Sequence, residues 1–482
     1  MYKIKSLDNS LKMKHLLILF IIALTIRLLF SFYLQQFYFG DFVWKYGDGT
    51  SFLNPILNYM EHGIYMGDMF VEDSKYFRVP VYPGFLGLVY FVFGPENYDY
   101  AIAFIQSVLD SCSAVLVYLI IFKITQSFRM AIISGFIYAT YPFIILWNPI
   151  SYTEVVYMFI LWVLIYVSTS QSCSLKKTFL QGALVGILVL TKQTLGLTLL
   201  IPMIIILLGS IQKKSIKQKI ILLSVLFFGF VSVLTPWVIR NYIQSGKVIV
   251  LMGDTPGLRI YGKDFQSFEK FVQLFNENIT PIMNDVVTHG KTKLEKHQKF
   301  VDKHQMQIQD AMQLAHECGP SFVQRRVTTY EGKAPYVGCE EEVILAFDQL
   351  TELFWQEVPM AEALETRIDA VNKIYSKSDI VNKNLSFSKT DFIKILLFKY
   401  RVLLLILGLI GIFLLIYKNT NRNFAIAVLI TVMAAYGYFS LIIVHVEMRY
   451  LLMPDLLITI FASIPLVYIL NKIKTKRSNL NK

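Results

Sequence analysis

Charge is scarce in this sequence and biased to one sign: Asp, Glu, Lys and Arg make up 17% of 482 residues, with 34 acidic side chains against 46 basic ones. Apolar residues take the place of charge. The chain is 55% hydrophobic and 15% aromatic, with a mean hydropathy of +0.51, too apolar for a soluble protein and long enough for many membrane spans. The net charge of +12 brings nucleic acid to mind. Lys and Arg instead gather in short runs between apolar segments, which is the pattern that orients a membrane protein, and no nucleic-acid partner is expected. Also missing are a Gly-rich loop ending in Gly-Lys-Ser/Thr, a Gly-x-Ser-x-Gly elbow and a His-Glu-x-x-His helix, which leaves ATP-driven pumps, serine hydrolases and zincins without support. There is no internal repeat or low-complexity segment. The four cysteines say little: Cys112 and Cys173 fall in a span and on the inner side, while Cys318 and Cys339 share one hydrophilic block, as a disulfide or as two free thiols.

What is present is a series of apolar runs. Lys3, Lys5, Lys12 and Lys14 precede the first, from His15 to about Phe37, and with no small-residue cleavage site it is expected to remain as an anchor with the N-terminus cytoplasmic. Further spans are expected at about 99–122, 130–147, 153–170, 179–191, 195–210, 220–239, 392–417, 424–445 and 450–470, giving ten. Pro80 to Gly94 is apolar as well, but about 15 residues fall short of the roughly 20 a spanning helix needs, and Pro83-Gly84 lies near its start. If this run only dips into the interface, the clusters around Lys123, Lys176, Lys213, Lys418 and Lys472 all face the cytoplasm with both termini. The run then belongs to one long external loop, 39–99. The expected protein is all-α and polytopic. It divides into a transmembrane module at 1–240, an extracytoplasmic helical block at 241–391, and C-terminal spans with a basic tail at 392–482. Within the block, apolar stripes are expected to pack helices: Leu294, Val301, Ile308 and Ala315; Val343, Phe347, Leu350 and Phe354; Leu364, Ile368, Val371 and Tyr375. Arg27 and Asp110 lie at similar depth in two spans and are expected to form a buried ion pair.

The same topology collects charged residues from six separate segments at the outer surface: Asp48, Arg78, Glu154, Lys192, Arg240, and Glu447 with Arg449. Taken singly, the cations are as well read as snorkelling anchors and Glu154 as a helix-starting acid. Their convergence favours a site. His297, His304 and His316 are spaced by seven and twelve residues, which does not gather three imidazoles on one helix face, and solvent-facing histidines are expected. Asp48 and Glu154 could share a divalent ion, but no third protein ligand accompanies them.

One span, a long external loop with an early Asp, then Arg78-Val79-Pro80-Val81-Tyr82-Pro83 leading into a short helix ending Phe93-Gly94: this order resembles the GT-C membrane glycosyltransferases. Ser151-Tyr152-Thr153-Glu154, Thr235-Pro236-Trp237-Val238-Ile239-Arg240-Asn241 and Glu447-Met448-Arg449-Tyr450-Leu451-Leu452-Met453-Pro454 add to it. The likeness covers roughly 15–241 and 424–470 and is greatest to the branch, glycosyltransferase family 39-like, of the protein O-mannosyltransferases and the lipid A aminoarabinose transferase. It implies a polyprenyl-phosphate sugar as donor, a glycan, lipid or protein hydroxyl as acceptor, transfer on the extracytoplasmic face of a plasma (bacterial inner) membrane, and inversion. Asp48 matches the family's catalytic base, with Asp41 as fallback. The leaving phosphate is already ionised and needs fixed positive charge rather than an acid, for which Lys192 and Arg449 are the candidates and Arg78 a further one. Glu154 would orient the acceptor or the basic groups, and Tyr82 would stand at the mouth of a groove for the lipid tail. Two features depart from the pattern: Asp48 is followed by Gly49 where the protein mannosyltransferases have Asp-Glu, and 253–391 matches no domain of the family. The competing readings are a lipid-linked substrate transporter or flippase, suited by intramembrane Arg27 and Asp110, and a non-catalytic scaffold.

Overall fold

The structure, a computed structural model, describes residues 9–36, 49–67, 69, 72–169, 174–208, 215–251, 263–276, 279–318, 340–376, 390–442 and 448–480. Among these, all regular secondary structure is helical. The first apolar run forms α1 (Asn9–Leu29), prolonged by a π-helical turn, Phe30–Leu34. After α2 (Gly49–His62), the chain enters α3 (Val81–Thr125). Sequence analysis separates a short run from a span here, and the structure joins them end to end around one break. Gly94 sits at φ 74° and ψ 166°, a conformation essentially restricted to glycine, and Pro95 restarts the helix without needing a backbone donor. The arm before the break is about 20 Å long at 1.5 Å per residue, too short to cross a hydrocarbon core of about 30 Å. It buries Tyr82, Leu86 and Val89 against Tyr98, Ile102 and Val156, and turns Leu88, Phe91 and Val92 outward.

Next come α4 (Phe128–Ala139), a helical turn at Pro142–Ile145, α5 (Glu154–Ser168), α6 (Leu175–Thr191), a 3-10 segment (Gln193–Leu199) running into α7 (Leu200–Leu208), and α8 (Ile216–Ser245). Ser127, Ser174 and Ser215 cap α4, α6 and α8 through their hydroxyls, and Ser215 with Gln218 makes a reciprocal capping box. The hydrophilic block supplies α9 (Lys263–Val272), α10 (Ile279–His289), α11 (Gln298–Lys303), α12 (Gln305–Glu317), α13 (Glu340–Glu357) and α14 (Met360–Ser376). The chain ends with α15 (Thr390–Tyr417), α16 (Arg422–Ile442), a 3-10 turn (Met448–Leu451), α17 (Leu452–Thr459) and α18 (Ser463–Leu480).

Among the described residues, six helices are long and apolar enough to cross a membrane: Met13–Leu34, Val81–Thr125, Ile216–Ser245, Ile395–Tyr417, Arg422–Ser440 and Arg449–Ile473. Phe128–Ala139, Glu154–Ser168 and Gln193–Leu208 are apolar but shorter. The ten spans expected from the sequence are not all full-length helices among the described residues. The apolar runs are where they are expected, but Pro142 and the polar turn at Lys192 interrupt the central ones below full spanning length. Large apolar side chains such as Leu17, Phe91, Phe228 and Tyr417 face outward along these helices, as lipid-facing positions do.

Two ends of the bundle differ. At one, Lys123 donates to the Tyr166 carbonyl, Asn421 to that of Ile124, Asn423 to that of Leu208 and Lys219 to that of Leu207, while Arg129 reaches Asn471. At the other lie the start of α5 and the ends of α6 and α8, where the hydrophilic block begins. That block has its own core, in which Phe265, Phe268, Phe271, Phe275, Phe300, Phe347 and Phe354 are buried together. Val343, Phe347, Leu350 and Phe354 pack inward as expected; Leu364 and Ile368 do not, and α14 buries Ala363 and Thr366 instead. The histidines also depart from the expected solvent-facing positions. His297 has its ring between Phe275 and Phe354, where an imidazole edge packs well among phenyl rings, and His304 contacts Glu357. Cys318 is disulfide-bonded, and Cys339 lies outside the described residues.

Candidate active site

The site is built on the start of α5. Asp110, inside α3, receives Arg27 Nε at 2.6 Å, the Tyr138 hydroxyl at 2.7 Å and Asn148 Nδ2 at 3.1 Å, so the expected Arg27–Asp110 pair forms and is fully buried. Arg27 Nη1 also donates to the Ala23 and Ala139 carbonyls. One turn earlier on α3, Gln106 Nε2 donates to the Asn148 and Ile150 carbonyls, and Tyr98 shares a hydrogen bond with Ser151. Four buried hydrogen bonds thus fix the irregular turn 148–153, which delivers Tyr152 and Glu154 to the end of the bundle.

Glu154 is the first residue of α5 and almost wholly buried, and its Oε1 accepts from Lys192 Nζ at 2.8 Å. Lys192 is the extended residue between α6 and the 3-10 segment, a polar break that turns its side chain out of helix register and into this space. The ammonium lies 5.2 Å from the ring centre of Tyr157 and 5.4 Å from that of Tyr450. Arg449 stacks at 4.9 Å over Tyr152 and acts electrostatically on the same Glu154 carboxylate. Three of the expected residues, Glu154, Lys192 and Arg449, are therefore brought together by α5, the α6–α7 break and the Met448–Leu451 turn.

Arg78 approaches from the segment between α2 and α3. Its guanidinium lies 3.9 Å over the ring of Phe52 and donates to Ser51, both on the first turn of α2, and Phe52 meets Tyr152 edge-on at 6.2 Å. An aromatic wall of Phe52, Tyr152 and Trp147 thus joins the Arg78 side to the Arg449 side. Arg240 stands elsewhere. It donates to the Lys75 and Tyr65 carbonyls and lies over the rings of Tyr65, Tyr76 and Trp237, clamping the end of α8 to the loop. Its partner Tyr65 donates to the Arg78 carbonyl, so the clamp helps to hold Arg78 in place. Burial pushes the Tyr65 hydroxyl well above the usual tyrosine range, against the opposing pull of Arg240 and Arg78, and it stays a neutral donor. Tyr82 is fully buried and donates to Gln106, inside the packing that supports the turn. Asp41, Asp48 and Glu447 lie outside the described residues, although Gly49, next to Asp48, opens α2.

Sequence reasoning passes over the rings. Tyr152 and Tyr450 are neighbours of Glu154 and Arg449 in quoted motifs, and Tyr157 follows Glu154 by one helical turn, on the same face. A second buried pair, Arg401 with Asp455, supported by Tyr436, is also missed, although Asp455 is a lone acid in an apolar run. Among the described residues, no three His, Cys, Asp or Glu side chains gather as a metal site.

Residues 78–239 match the family described as dolichyl-phosphate-mannose-protein mannosyltransferase. Two solved structures share the fold over nearly all of this chain. The archaeal oligosaccharyltransferase AglB from Archaeoglobus fulgidus, in complex with an inhibitory peptide and a dolichol-phosphate, aligns over 98% of it at 13% identity with a TM-score of 0.50. The Archaeoglobus fulgidus oligosaccharyltransferase in its apo form aligns over 99% at 14% identity with a TM-score of 0.52. The chain spans 52% of the length of each. No curated protein matches it in sequence. The family match over 78–239 and the fold shared over nearly the whole chain support a GT-C type of membrane glycosyltransferase.

Proposed function

We propose that this protein transfers a sugar from a polyprenyl-phosphate donor to an acceptor hydroxyl on the extracytoplasmic face of a plasma membrane, inverting the anomeric centre. The observation that carries the reading is the buried Glu154–Lys192 pair beside Arg449, at the end of the bundle where α2 also packs. The dolichol-phosphate in the AglB complex supports a lipid-phosphate donor, and the inhibitory peptide there is consistent with a protein among the acceptors. In the reaction the acceptor oxygen bonds to the anomeric carbon while the bond from that carbon to the phosphate oxygen breaks. The phosphate takes the electron pair and the hydroxyl proton passes to Asp48. Lys192 and Arg449 hold the phosphate as its charge grows, with Arg78 across the aromatic wall. The unmatched block after α8 sits where it would meet the acceptor.

Asp48→Asn tests the assignment. With purified protein in lipid nanodiscs and a panel of polyprenyl-phosphate sugars, transfer is expected to fall by about 10²–10⁴-fold, while melting temperature and lipid-phosphate binding stay unchanged. Full transfer by this variant would overturn the assignment. A flippase would keep moving lipid, and a scaffold would be indifferent to the change.

A further inference from the structure

Three buried tyrosines around the site direct their hydroxyls to protein groups: Tyr82 donates to Gln106, Tyr98 shares a hydrogen bond with Ser151, and Tyr138 donates to Asp110. Tyr157 is as deeply buried, with 1% of its surface exposed, yet its hydroxyl makes no hydrogen bond among the described residues. A buried hydroxyl in that position has given up its bond to water and received none in return, which marks it as a group kept for something the empty site does not contain. Tyr157 is the fourth residue of α5, and a helical side chain leans toward the N-terminal end of its helix. The ring therefore runs back toward Glu154 and the end of the bundle. Lys192 Nζ lies 5.2 Å from the ring centre, and the hydroxyl is within electrostatic reach of both Glu154 and Arg449.

Resting on the reading above, we infer that Tyr157 is a substrate-binding residue whose hydroxyl donates to a non-bridging oxygen of the lipid phosphate. The direction of the bond is fixed, because an ionised phosphate oxygen only accepts while a tyrosine hydroxyl has a proton to give. Such a bond to an ionised acceptor is stronger than one between neutral groups. It strengthens further as the bond to the anomeric carbon breaks and charge gathers on the phosphate, so the hydroxyl serves transfer as well as binding. The ring beside Lys192 and the hydroxyl at its tip thus have separate tasks: the first packs against the ammonium, and the second waits for the ligand.

Tyr157→Phe tests this, since it removes the hydroxyl and leaves the ring. Farnesyl phosphate and farnesol are titrated by calorimetry at pH 7.5 against the full-length protein in nanodiscs, with empty nanodiscs as the blank. The variant is expected to bind farnesyl phosphate about 10–100-fold more weakly than wild type, as loss of one hydrogen bond to a charged group implies. Farnesol, which has no phosphate, is expected to bind the two proteins equally. The ligand-free melting temperature is expected to stay the same or rise, because no bond within the protein is lost. Unchanged binding of farnesyl phosphate overturns the inference. So does a parallel loss of farnesol binding, and so does a lowered melting temperature or a failure to fold, each of which would make the hydroxyl a structural group. In all of these cases wild type still binds the lipid phosphate, and the donor class stands. If wild type binds farnesyl phosphate no better than farnesol, the inference and the polyprenyl-phosphate reading fall together.

Discussion

At the scale of single residues, the Arg27–Asp110 pair shows what a lone intramembrane charge discloses and what it hides. That the two would meet was legible, because each is an isolated charge at matching depth in an apolar run. The rest of the network was not, since Tyr138 and Asn148 are ordinary in sequence and gain meaning only when Asp110 receives both. This alters which double variant should rescue. Asp110→Asn alone strands a buried guanidinium and is expected to cost about 3–5 kcal/mol, read as lost folded yield and melting temperature in detergent. Exchanging the two charges puts an acid against the Ala23 and Ala139 carbonyls and a guanidinium against the Tyr138 and Asn148 donors. Arg27→Met with Asp110→Asn leaves no buried charge and only weak polar mismatches. The neutral double variant is therefore expected to recover more folded protein than the charge exchange; equal recovery would show that the pair acts by Coulomb attraction alone, without its hydrogen-bonding partners.

At the scale of elements, apolar periodicity located the helices well and their ends poorly, because a run of Leu, Ile and Phe does not say where the backbone stops being helical. The exception is Phe93-Gly94-Pro95, where glycine and proline together mark a break and the structure has one. The outward apolar stripe of α14 went the other way. Met360, Leu364 and Ile368 share one face, yet the helix buries Ala363 and Thr366, because the Thr366 hydroxyl donates to the Leu274 carbonyl and anchors that side. The contact of α6 with α8 had a readable sign: Gly182 and Gly186, four residues apart, lie where any side chain would strike the α8 backbone at Leu226 and Phe230. Gly94 offers the sharpest test. A Cβ there meets nothing within 4 Å, so any loss on Gly94→Ala comes from the backbone alone. The expected cost is about 1–3 kcal/mol of stability, read as a lowered melting temperature, with transfer reduced as the arm bearing Tyr82 moves. Pro95→Ala, at a first-turn position that tolerates either residue, is expected to change little. A Gly94→Ala protein as stable as wild type would mean that the arm reorients freely.

At the scale of the whole molecule, everything depends on which end of the bundle faces out. Lys123, Arg129 and Lys219 engage groups at one end, and Lys418 lies over Tyr468, so basic side chains crowd the end opposite Glu154. Because basic residues tend to stay in the cytoplasm, we propose that Glu154, Lys192 and Arg449 face outside together with α2 and the hydrophilic block. The central helices shorter than a full span make this end assignment more informative than a count of crossings, because a charge reports its side whatever the length of the helix leading to it. Single cysteines resolve the matter in intact cells on a Cys112→Ser and Cys173→Ser background. Glu61, with 73% of its side chain exposed at the end of α2, is a suitable outer position. Gln126 suits the inner side better than Ser127, whose hydroxyl caps α4. Glu61→Cys is expected to react with a membrane-impermeant maleimide added outside, and Gln126→Cys only after the membrane is opened. Labelling of Gln126→Cys from outside would turn the bundle over, carry Glu154 and Lys192 into the cytoplasm, and with them the place where any sugar could be transferred.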